Sequence, residues 1–201
     1  MIKDAYPFLF PLLFLGALFI WYEFIFTAVL FFIFSVFVVF FFRNPERLVP
    51  EEPDVVVSPA DGKVIRLDRQ GDQWILSIFL SIFDVHVNRA PISGTIVRKD
   101  YQPGKFRIAF DERASIENER VTIAIEGERS LTFSLIAGIV ARRIRVWKNE
   151  GDQIKKGDRI GLIRFGSRVD IVFPSHCDIV VNVGDRVYGG SSILGRWTRK
   201  E

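Results

Sequence analysis

The amino-terminal segment is apolar at nearly every position, without the alternation that would place one face in water. Residues 5–42 contain one charged side chain, Glu23. Because a bilayer core needs about 20 apolar residues for each spanning helix, this length predicts two helices that turn near Glu23. Trp21 and Tyr22 flank the turn, and both residue types favour a membrane interface. The pattern predicts an α-helical membrane hairpin over residues 1–42, and the sequence leaves open whether this anchor spans the bilayer or dips into one leaflet.

Basic residues flank the hairpin on both sides, with Lys3 before it and Arg43 and Arg47 after it. Basic residues stay preferentially on the cytoplasmic side, and a hairpin returns both of its ends to one side. We therefore expect a cell-membrane protein whose remaining chain lies on the cytoplasmic side. A cleaved signal peptide is the alternative, but the apolar stretch is too long and lacks a small-residue cleavage site.

From residue 55 onward the pattern changes to short runs of β-branched and aromatic residues, bounded by glycine, proline, aspartate or asparagine. Runs of this kind at regular spacing predict an all-β sandwich or barrel over residues 55–201. Only the stretch 137–147 has a helical period. The charged, proline-rich stretch 43–54 is predicted to be a linker.

Two pairs of short segments repeat within the β region. "SPADGKVI" at 58–65 resembles "APISGTIV" at 90–97, and "NEGDQIKKGDRI" at 149–160 resembles "NVGDRVYGGSSI" at 182–193. Such repeats predict two similar halves packed on each other. The turns are similar to those of the biotinyl/lipoyl-like barrel-sandwich, a fold-level analogy that gives no function by itself.

Composition narrows the classes of function. The one cysteine, Cys177, excludes a disulfide within the chain and agrees with a reducing compartment. The net charge of +3 suits an anionic membrane surface, whereas basic residues scattered among acidic ones argue against nucleic acid as a partner. A zinc or copper site at His176 and Cys177 would have only His86 as a further imidazole, so no metal is expected.

Three residues could carry chemistry, although each has an ordinary structural interpretation. His86 stands at the end of an apolar strand, where polar side chains often bond locally. Asp61 belongs to an Asp-Gly turn. Ser167 follows Gly166 inside a strand-like run, where a glycine usually marks a bulge. Because a catalytic triad is defined by geometry, these residue types alone do not establish one.

An ordered set of motifs carries a more specific signal. It consists of "FFRNPER", "SPADGKV", "FDVHVNRAPISG", "YQPGKF", "NER", "AGIVARRI" and "IRFGSRVDIVFP", in this order along nearly the whole chain. The set resembles the short-form phosphatidylserine decarboxylases and the closely related archaetidylserine decarboxylases, which depend on a pyruvoyl group. No single motif is specific, whereas the ordered set is.

The resemblance implies a proenzyme that cleaves itself between Gly166 and Ser167. The products would be a β chain of residues 1–166 and an α chain of residues 167–201, which stay associated. Ser167 would become the pyruvoyl group, a covalent cofactor that forms a Schiff base with the serine amine of the phospholipid substrate. The reaction would be that of a carboxy-lyase, giving an ethanolamine phospholipid and carbon dioxide.

The same resemblance makes His86 the base for self-cleavage and Asp61 its orienting partner. Longer family members carry two closely spaced histidines and a Leu-Gly-Ser-Thr cleavage motif. This chain has Phe-Gly-Ser-Arg at 165–168, and Asn88 and Arg89 lie where a second imidazole is expected. The division of work between self-cleavage and decarboxylation stays open at this point, and one histidine could do both.

The sequence leaves a second class of function and the choice of lipid open. A non-enzymatic, membrane-tethered carrier or adaptor would need a lysine at a hairpin tip or long heptad helices, but Lys155 and Lys156 lie in a charged turn. Phosphatidylserine and archaetidylserine share the headgroup that reacts, so the sequence does not choose between them. Exposed strand edges allow a homo-oligomer.

Overall fold

The computed structural model describes residues 1–104, 118–138, 144–164 and 167–198. Its chain divides into two compact units, Met1–Glu46 and Arg47–Glu201. The first unit is helical and the second consists mostly of β-sheet.

The first unit is a pair of antiparallel apolar helices, α1 (Tyr6–Trp21) and α2 (Ile25–Phe41), after a short 3-10 turn at Lys3–Ala5. The backbone N–H of Ile2 donates to the carbonyl of Phe42 at 3.1 Å, which joins the two ends of the unit. Phe19 stacks on Phe31 with ring centroids 5.4 Å apart. Glu23 lies in the turn between the helices with a φ of 63°, so the two predicted helices and the turn between them are present.

The helical unit leaves much of its apolar surface uncovered. Phe14 is 68% exposed and Phe26 is 79% exposed. In the described residues, Lys3–Trp21 is long and apolar enough to cross a membrane by length and composition, while Ile25–Phe41 is apolar but shorter. One such helix gives weak support for a membrane span, because a signal sequence has the same length and composition.

The second unit contains short strands, as the pattern of apolar runs predicts. In chain order they are Val55–Val57 (β1), Gly62–Gln70 (β2), Gln73–Leu80 (β3), Val87–Arg89 (β4), Gly94–Gln102 (β5), Arg120–Glu126 (β6), Ser130–Ala137 (β7), Ile144–Val146 (β8), Gln153–Ile154 (β9), Arg159–Ile163 (β10), Ser167–Pro174 (β11), Cys177–Ile179 (β12), Arg186–Val187 (β13) and Ile193–Trp197 (β14).

These strands form an eight-stranded sheet in the order β13-β2-β3-β11-β7-β6-β5-β9 and two three-stranded sheets, β4-β10-β8 and β1-β14-β12. Neighbouring strands are antiparallel throughout. In β11, Val169, Ile171 and Phe173 are fully buried, whereas Asp170 and Val172 between them are less so. This alternation is the physical reason the run forms a strand with one face in the core.

The predicted internal repeat is confirmed by matching hydrogen bonds. Val64 N–H donates to the carbonyl of Asp185 at 2.9 Å, and Ile96 N–H donates to the carbonyl of Asp152 at 3.0 Å. The sheet order reads the same from either edge, with β13, β2, β3 and β11 (the first repeat) opposite β9, β5, β6 and β7 (the second repeat). The strands β11 and β7 meet at the centre of the sheet.

The helical period noted over 137–147 is wrong at the described ends of that stretch. Ala137 ends β7, and Ile144–Val146 forms β8. Both strands pair with neighbours in their sheets, and these ladders override a short helical pattern. Residues 139–143 lie outside the described residues.

Candidate active site

Two connections between the same pair of sheets carry His86 and lead to Ser167. The chain leaves the eight-stranded sheet after β3 and enters a three-stranded sheet at β4, and it returns between β10 and β11. In the large sheet Leu80 opposes Ser167, and in the small sheet Val87 opposes Leu162. The strands that these connections join are therefore paired at the ends where the connections begin, and His86 stands directly before Val87.

Ser167 begins β11 at this crossing and is fully buried. It pairs with Leu80 on one side and Ala137 on the other. Its Oγ has no hydrogen-bond partner among the described residues, although buried hydroxyl groups are nearly always bonded. Gly166, the other half of the predicted cleavage bond, lies outside the described residues. The buried, unsatisfied hydroxyl makes Ser167 the candidate nucleophile.

The end of the neighbouring strand is fixed beside Ser167. Asn118 Nδ2 donates to the carbonyl of Ala137 at 2.8 Å, and Ala137 N–H donates to the carbonyl of Glu119 at 2.9 Å. Asn118 and Glu119 are buried. These residues belong to the "NER" motif, to which the sequence assigned no role of its own, and they hold the strand that pairs with Ser167.

His86 is fully buried and has a defined orientation. Its Nδ1 lies 3.0 Å from the carbonyl oxygen of Asp84. Because a carbonyl only accepts hydrogen bonds, Nδ1 carries the proton of the neutral ring, and the basic lone pair is on Nε2. The carbonyl of His86 itself accepts from Ile163 N–H at 3.4 Å. The ring is held in the tautomer that a general base requires.

Asp84 shapes the connection that carries His86. Its carboxylate accepts from the backbone N–H of Ser81 at 2.8 Å and from the Ser81 hydroxyl at 2.7 Å. It also forms an ion pair with Arg186. Sequence reasoning gave Asp84 no role, although the Ser-x-x-Asp spacing is a known local side chain–backbone motif that could have revealed this turn.

Asp61 is buried directly before β2. Its carboxylate accepts from Gly189 N–H at 2.8 Å and from Arg47 at 2.7 Å. Burial raises the pKa of Asp61 and outweighs the lowering by Gly189 and Arg47, and the charge of Asp84 raises it further. Within the described residues, no hydrogen bond joins this carboxylate to His86.

Arg47 belongs to the stretch predicted as a linker, yet only 12% of its side chain is exposed, beside Asp61. Its Nε has no hydrogen-bond partner among the described residues. This end of the predicted linker is therefore part of the site region. Sequence reasoning missed this role, because an arginine in a polar, proline-rich stretch normally lies in solvent.

Asn88 and Arg89 occupy the place where the resemblance leads us to expect a second imidazole. Asn88 is fully buried, with its Nδ2 3.5 Å from the carbonyl of Pro59. Arg89 donates to the carbonyl of Gly157 at 2.9 Å. An amide does not titrate and an arginine stays charged, so neither residue supplies a second base.

The pair of residues considered for a metal lies elsewhere. His176 packs on Trp197 with ring centroids 5.4 Å apart. Burial, with a smaller effect of Asp178, raises the pKa of Cys177 to about 12. Over the described ranges, no group of three or more histidine, cysteine or acidic side chains has a metal-binding arrangement.

Comparison with known proteins identifies the family. Residues 34–195 match the family described as phosphatidylserine decarboxylase. A protein of Geotalea uraniireducens named phosphatidylserine decarboxylase proenzyme is 44% identical, with 84% of this chain and 83% of the relative covered. Proteins of the same name from Solibacter usitatus and Citrifermentans bemidjiense are each 47% identical, over 81% and 84% of this chain and 79% and 80% of their own lengths. The chain belongs to the phosphatidylserine decarboxylase family.

Proposed function

We propose that the chain is a self-cleaving decarboxylase that converts phosphatidylserine into phosphatidylethanolamine and carbon dioxide. One observation carries the proposal: the paired connections set His86, with its proton on Nδ1, opposite the strand end that bears the buried hydroxyl of Ser167. The names of the relatives supply the substrate and the proenzyme state.

In the proposed self-cleavage, the Ser167 oxygen attacks the carbonyl carbon of Gly166. His86 Nε2 takes the hydroxyl proton and returns it to the leaving amide nitrogen, so an ester replaces the peptide bond. Elimination then separates Gly166 from a dehydroalanine at position 167, and water converts this residue to a pyruvoyl group with release of ammonia. His86 alone supplies the base, since Asn88 and Arg89 are not bases.

A pyruvoyl group fits position 167. The Ser167 oxygen makes no hydrogen bond to the described residues, so its loss leaves no protein donor or acceptor without a partner. Such a group supplies the electron sink for decarboxylation. In that step His86 Nε2 could take the proton that the substrate ammonium group gives up and deliver it to the carbon that carbon dioxide leaves.

Asp61 has an electrostatic role in this proposal. Its charge reaches the neighbouring Asp84, and the Asp84 carbonyl binds His86. A negative charge in this buried region favours the imidazolium that forms when His86 takes a proton. Gly189 and Arg47 fix the carboxylate, so it needs no reorganisation during the reaction.

The two fragments would stay associated after cleavage. The strand β11 lies at the centre of the eight-stranded sheet, paired with β3 over its whole length and with β7 from Ser167 to Val172. A chain of residues 167–201 would therefore keep hydrogen bonds on both edges of its first strand. This supports a working enzyme built from a β chain of 1–166 and an α chain of 167–201.

The finer architecture is also part of the proposal. The symmetric repeats support a barrel-sandwich of the biotinyl/lipoyl-like type for the β unit. The uncovered apolar helices support a membrane hairpin, with the β unit on the cytoplasmic side, where a phospholipid substrate would be reached from the bilayer surface.

Intact mass measured under denaturing conditions tests the proposal. We expect two fragments divided between Gly166 and Ser167, and the Ser167 fragment should lack the mass of one ammonia. Ser167→Ala should stay uncut, and His86→Gln should cleave at least about a hundredfold more slowly. His176→Gln is the matched control and should cleave normally. Decarboxylation is then assayed on phosphatidylserine, with archaetidylserine in parallel.

A wild-type chain that stays whole would contradict self-cleavage and return the β unit to a carrier or adaptor role. A cleaved chain that releases no carbon dioxide from phosphatidylserine would contradict the substrate.

A further inference from the structure

The stretch predicted as a linker is bound to the β unit. Residues 47–54, which lie within the described part of the chain and are called here the strap, form no helix or strand. Trp197 N–H donates to the carbonyl of Asp54 at 3.0 Å, and Lys156 Nζ donates to the carbonyl of Glu52. Because both donors lie far along the sequence, the strap is part of the folded β unit.

The middle of the strap lies against a turn that also holds β4. A Cβ added at Gly157 would lie 2.5 Å from Cγ2 of Val49, so the strap approaches this turn as closely as a glycine allows. Gly157 has a φ of 85°, which favours glycine as well. The carbonyl of Gly157 accepts a hydrogen bond from Arg89 at 2.9 Å. The strap therefore packs on the turn to which the strand after His86 is also bound.

The strap directs Arg47 into the protein and its neighbour Leu48 into solvent. The guanidinium of Arg47 donates to the carboxylate of Asp61 at 2.7 Å and lies 5.9 Å from the ring centroid of Tyr188. Leu48 is 92% exposed, whereas 12% of the Arg47 side chain is exposed. Solvation alone would favour the reverse, because burying a charge costs more than exposing a leucine. The contacts of the guanidinium, above all the ion pair, therefore hold Arg47 inside.

Four groups on different elements act on the Asp61 carboxylate. Burial raises the pKa of Asp61, Gly189 N–H and Arg47 lower it, and the charge of Asp84 raises it again. Arg89 of β4 is near enough to take part, since burial and the charge of Arg47 lower the pKa of Arg89 while the charge of Asp61 raises it. Within the described residues, Arg47 is the one side chain that pairs with this carboxylate.

We propose that Arg47 is a positioning residue for the reaction, which the strap brings to Asp61 to keep this buried carboxyl group charged. The inference rests on the proposed function, in which the charge of Asp61 favours the imidazolium of His86. A buried carboxyl group that loses its cationic partner takes up a proton more readily, and a neutral Asp61 no longer favours the imidazolium. Because the helical unit ends at Glu46, the chain that leaves the apolar helices supplies this cation.

The pH dependence of self-cleavage in the full-length chain tests this role. Arg47→Gln should move the acidic limb of the rate profile upward by about one pH unit or more, because a neighbouring arginine lowers the pKa of an aspartate by about 1–3 units. The rate should therefore fall about tenfold below this limb and approach the wild-type rate above it. Arg47→Lys should restore most of the wild-type profile. Intact mass is followed after brief cell-free synthesis and transfer to each pH.

Two further variants separate an action through Asp61 from other causes. Arg43→Gln is the matched control, because it removes an arginine that lies outside the strap and donates to the carbonyl of Phe40 at 2.9 Å, and it should leave the pH profile unchanged. In the Asp61→Asn background, Arg47→Gln should change the rate by less than about twofold at every pH, since there is no carboxyl charge left to hold.

Unfolding by urea provides a second readout that needs no self-cleavage. All chains carry Ser167→Ala for this measurement, so that they stay whole. The contribution of Asp61 to the free energy of unfolding is lost as the pH rises through its pKa in the folded chain. Arg47→Gln raises that pKa further, so the loss should extend to higher pH than it does with Arg43→Gln.

Identical pH profiles for the wild type and Arg47→Gln would overturn the inference. A loss of rate that is equal at every pH, and equal in the Asp61→Asn background, would overturn it too, because it would show that Arg47 serves folding alone. Failure of the proposed function would appear separately, as a wild-type chain that stays whole. The urea titrations would then still decide whether Arg47 holds the charge of Asp61.

Discussion

The two repeats of the large sheet share one arrangement of strands, called here the frame, but they differ in the residues beside the first strand and in the connection that follows the second. Gly62 begins β2 and Gly94 begins β5, each with a φ near +155° (155° and 154°). An added Cβ would lie 2.1 Å from the carbonyl oxygen of Phe79 at Gly62 and 2.4 Å from that of Glu126 at Gly94. The shared glycines thus serve close packing of the frame, which is common to both repeats.

The difference between the repeats lies just beyond these glycines. Asp61 precedes Gly62, whereas Ser93 precedes Gly94 and accepts a hydrogen bond from Lys156 N–H at 2.9 Å. In the first repeat the chain crosses to another sheet at Ser167, but in the second repeat a tight turn joins β6 directly to β7. One symmetric frame therefore carries candidate chemistry at only one of two equivalent places, where the crossing brings in His86.

Replacing the residue before each glycine should give the largest difference between the repeats. Asp61→Ala should slow self-cleavage roughly ten- to a hundredfold, because a nearby opposite charge favours imidazolium at His86 by roughly one or two pKa units, each worth about 1.4 kcal/mol. Ser93→Ala should leave the rate within about twofold. The rate is followed by intact mass after synthesis of the chain, and equal rates for both variants would remove Asp61 from the site.

The same carboxyl should give a distinct pH dependence of stability. Burial raises the pKa of Asp61 in the folded chain above its ordinary value of 3.8. At a pH between 3.8 and the pKa of the folded chain, the folded chain therefore binds a proton that the unfolded chain has released. Its contribution to the free energy of unfolding therefore falls as the pH rises through this window. In urea titrations at several pH values, Asp61→Asn should reduce the dependence of the free energy of unfolding on pH. Ser93→Asn should leave that dependence unchanged.

Alanine at the two shared glycines should test what the repeats have in common. Gly62→Ala and Gly94→Ala should each lower the free energy of unfolding by roughly 2 kcal/mol or more, since both put a Cβ against a backbone carbonyl and strain a positive φ. Gly71→Ala is the control for a positive φ without a close contact, because Gly71 has a φ of 59° and nothing lies within 4 Å of an added Cβ there. A loss of stability confined to Gly62→Ala would mean that the two repeats do not depend on their glycines equally.

The smallest effect concerns Cys177, outside both repeats. Because burial raises the pKa of its thiol to about 12, very little thiolate exists at pH 8. The folded chain should react with a thiol reagent at least about a hundredfold more slowly than the urea-unfolded chain. Comparable rates would show that β12 opens readily.

Local pattern was sufficient for much of this protein. Apolar length predicts the helix pair, alternation predicts the strands, and the Gly-Asp echoes predict the repeats, because these features depend on periodicity within single segments. The resemblance carried by the ordered motifs named Asp61, His86 and Ser167. The helical period over 137–147 misled, because hydrogen bonds from distant strands decide that segment.

The sequence by itself determined which segments are apolar helix, which are strand, and which family the motifs resemble. Only the tertiary structure decided that Arg47, in the predicted linker, binds Asp61 and that Lys63 and Arg168 share one face. The physical reason is that these residues lie far apart in the sequence, and for Lys63 and Arg168 the strand register decides which residues stand opposite one another. No periodicity within a single segment encodes that pairing.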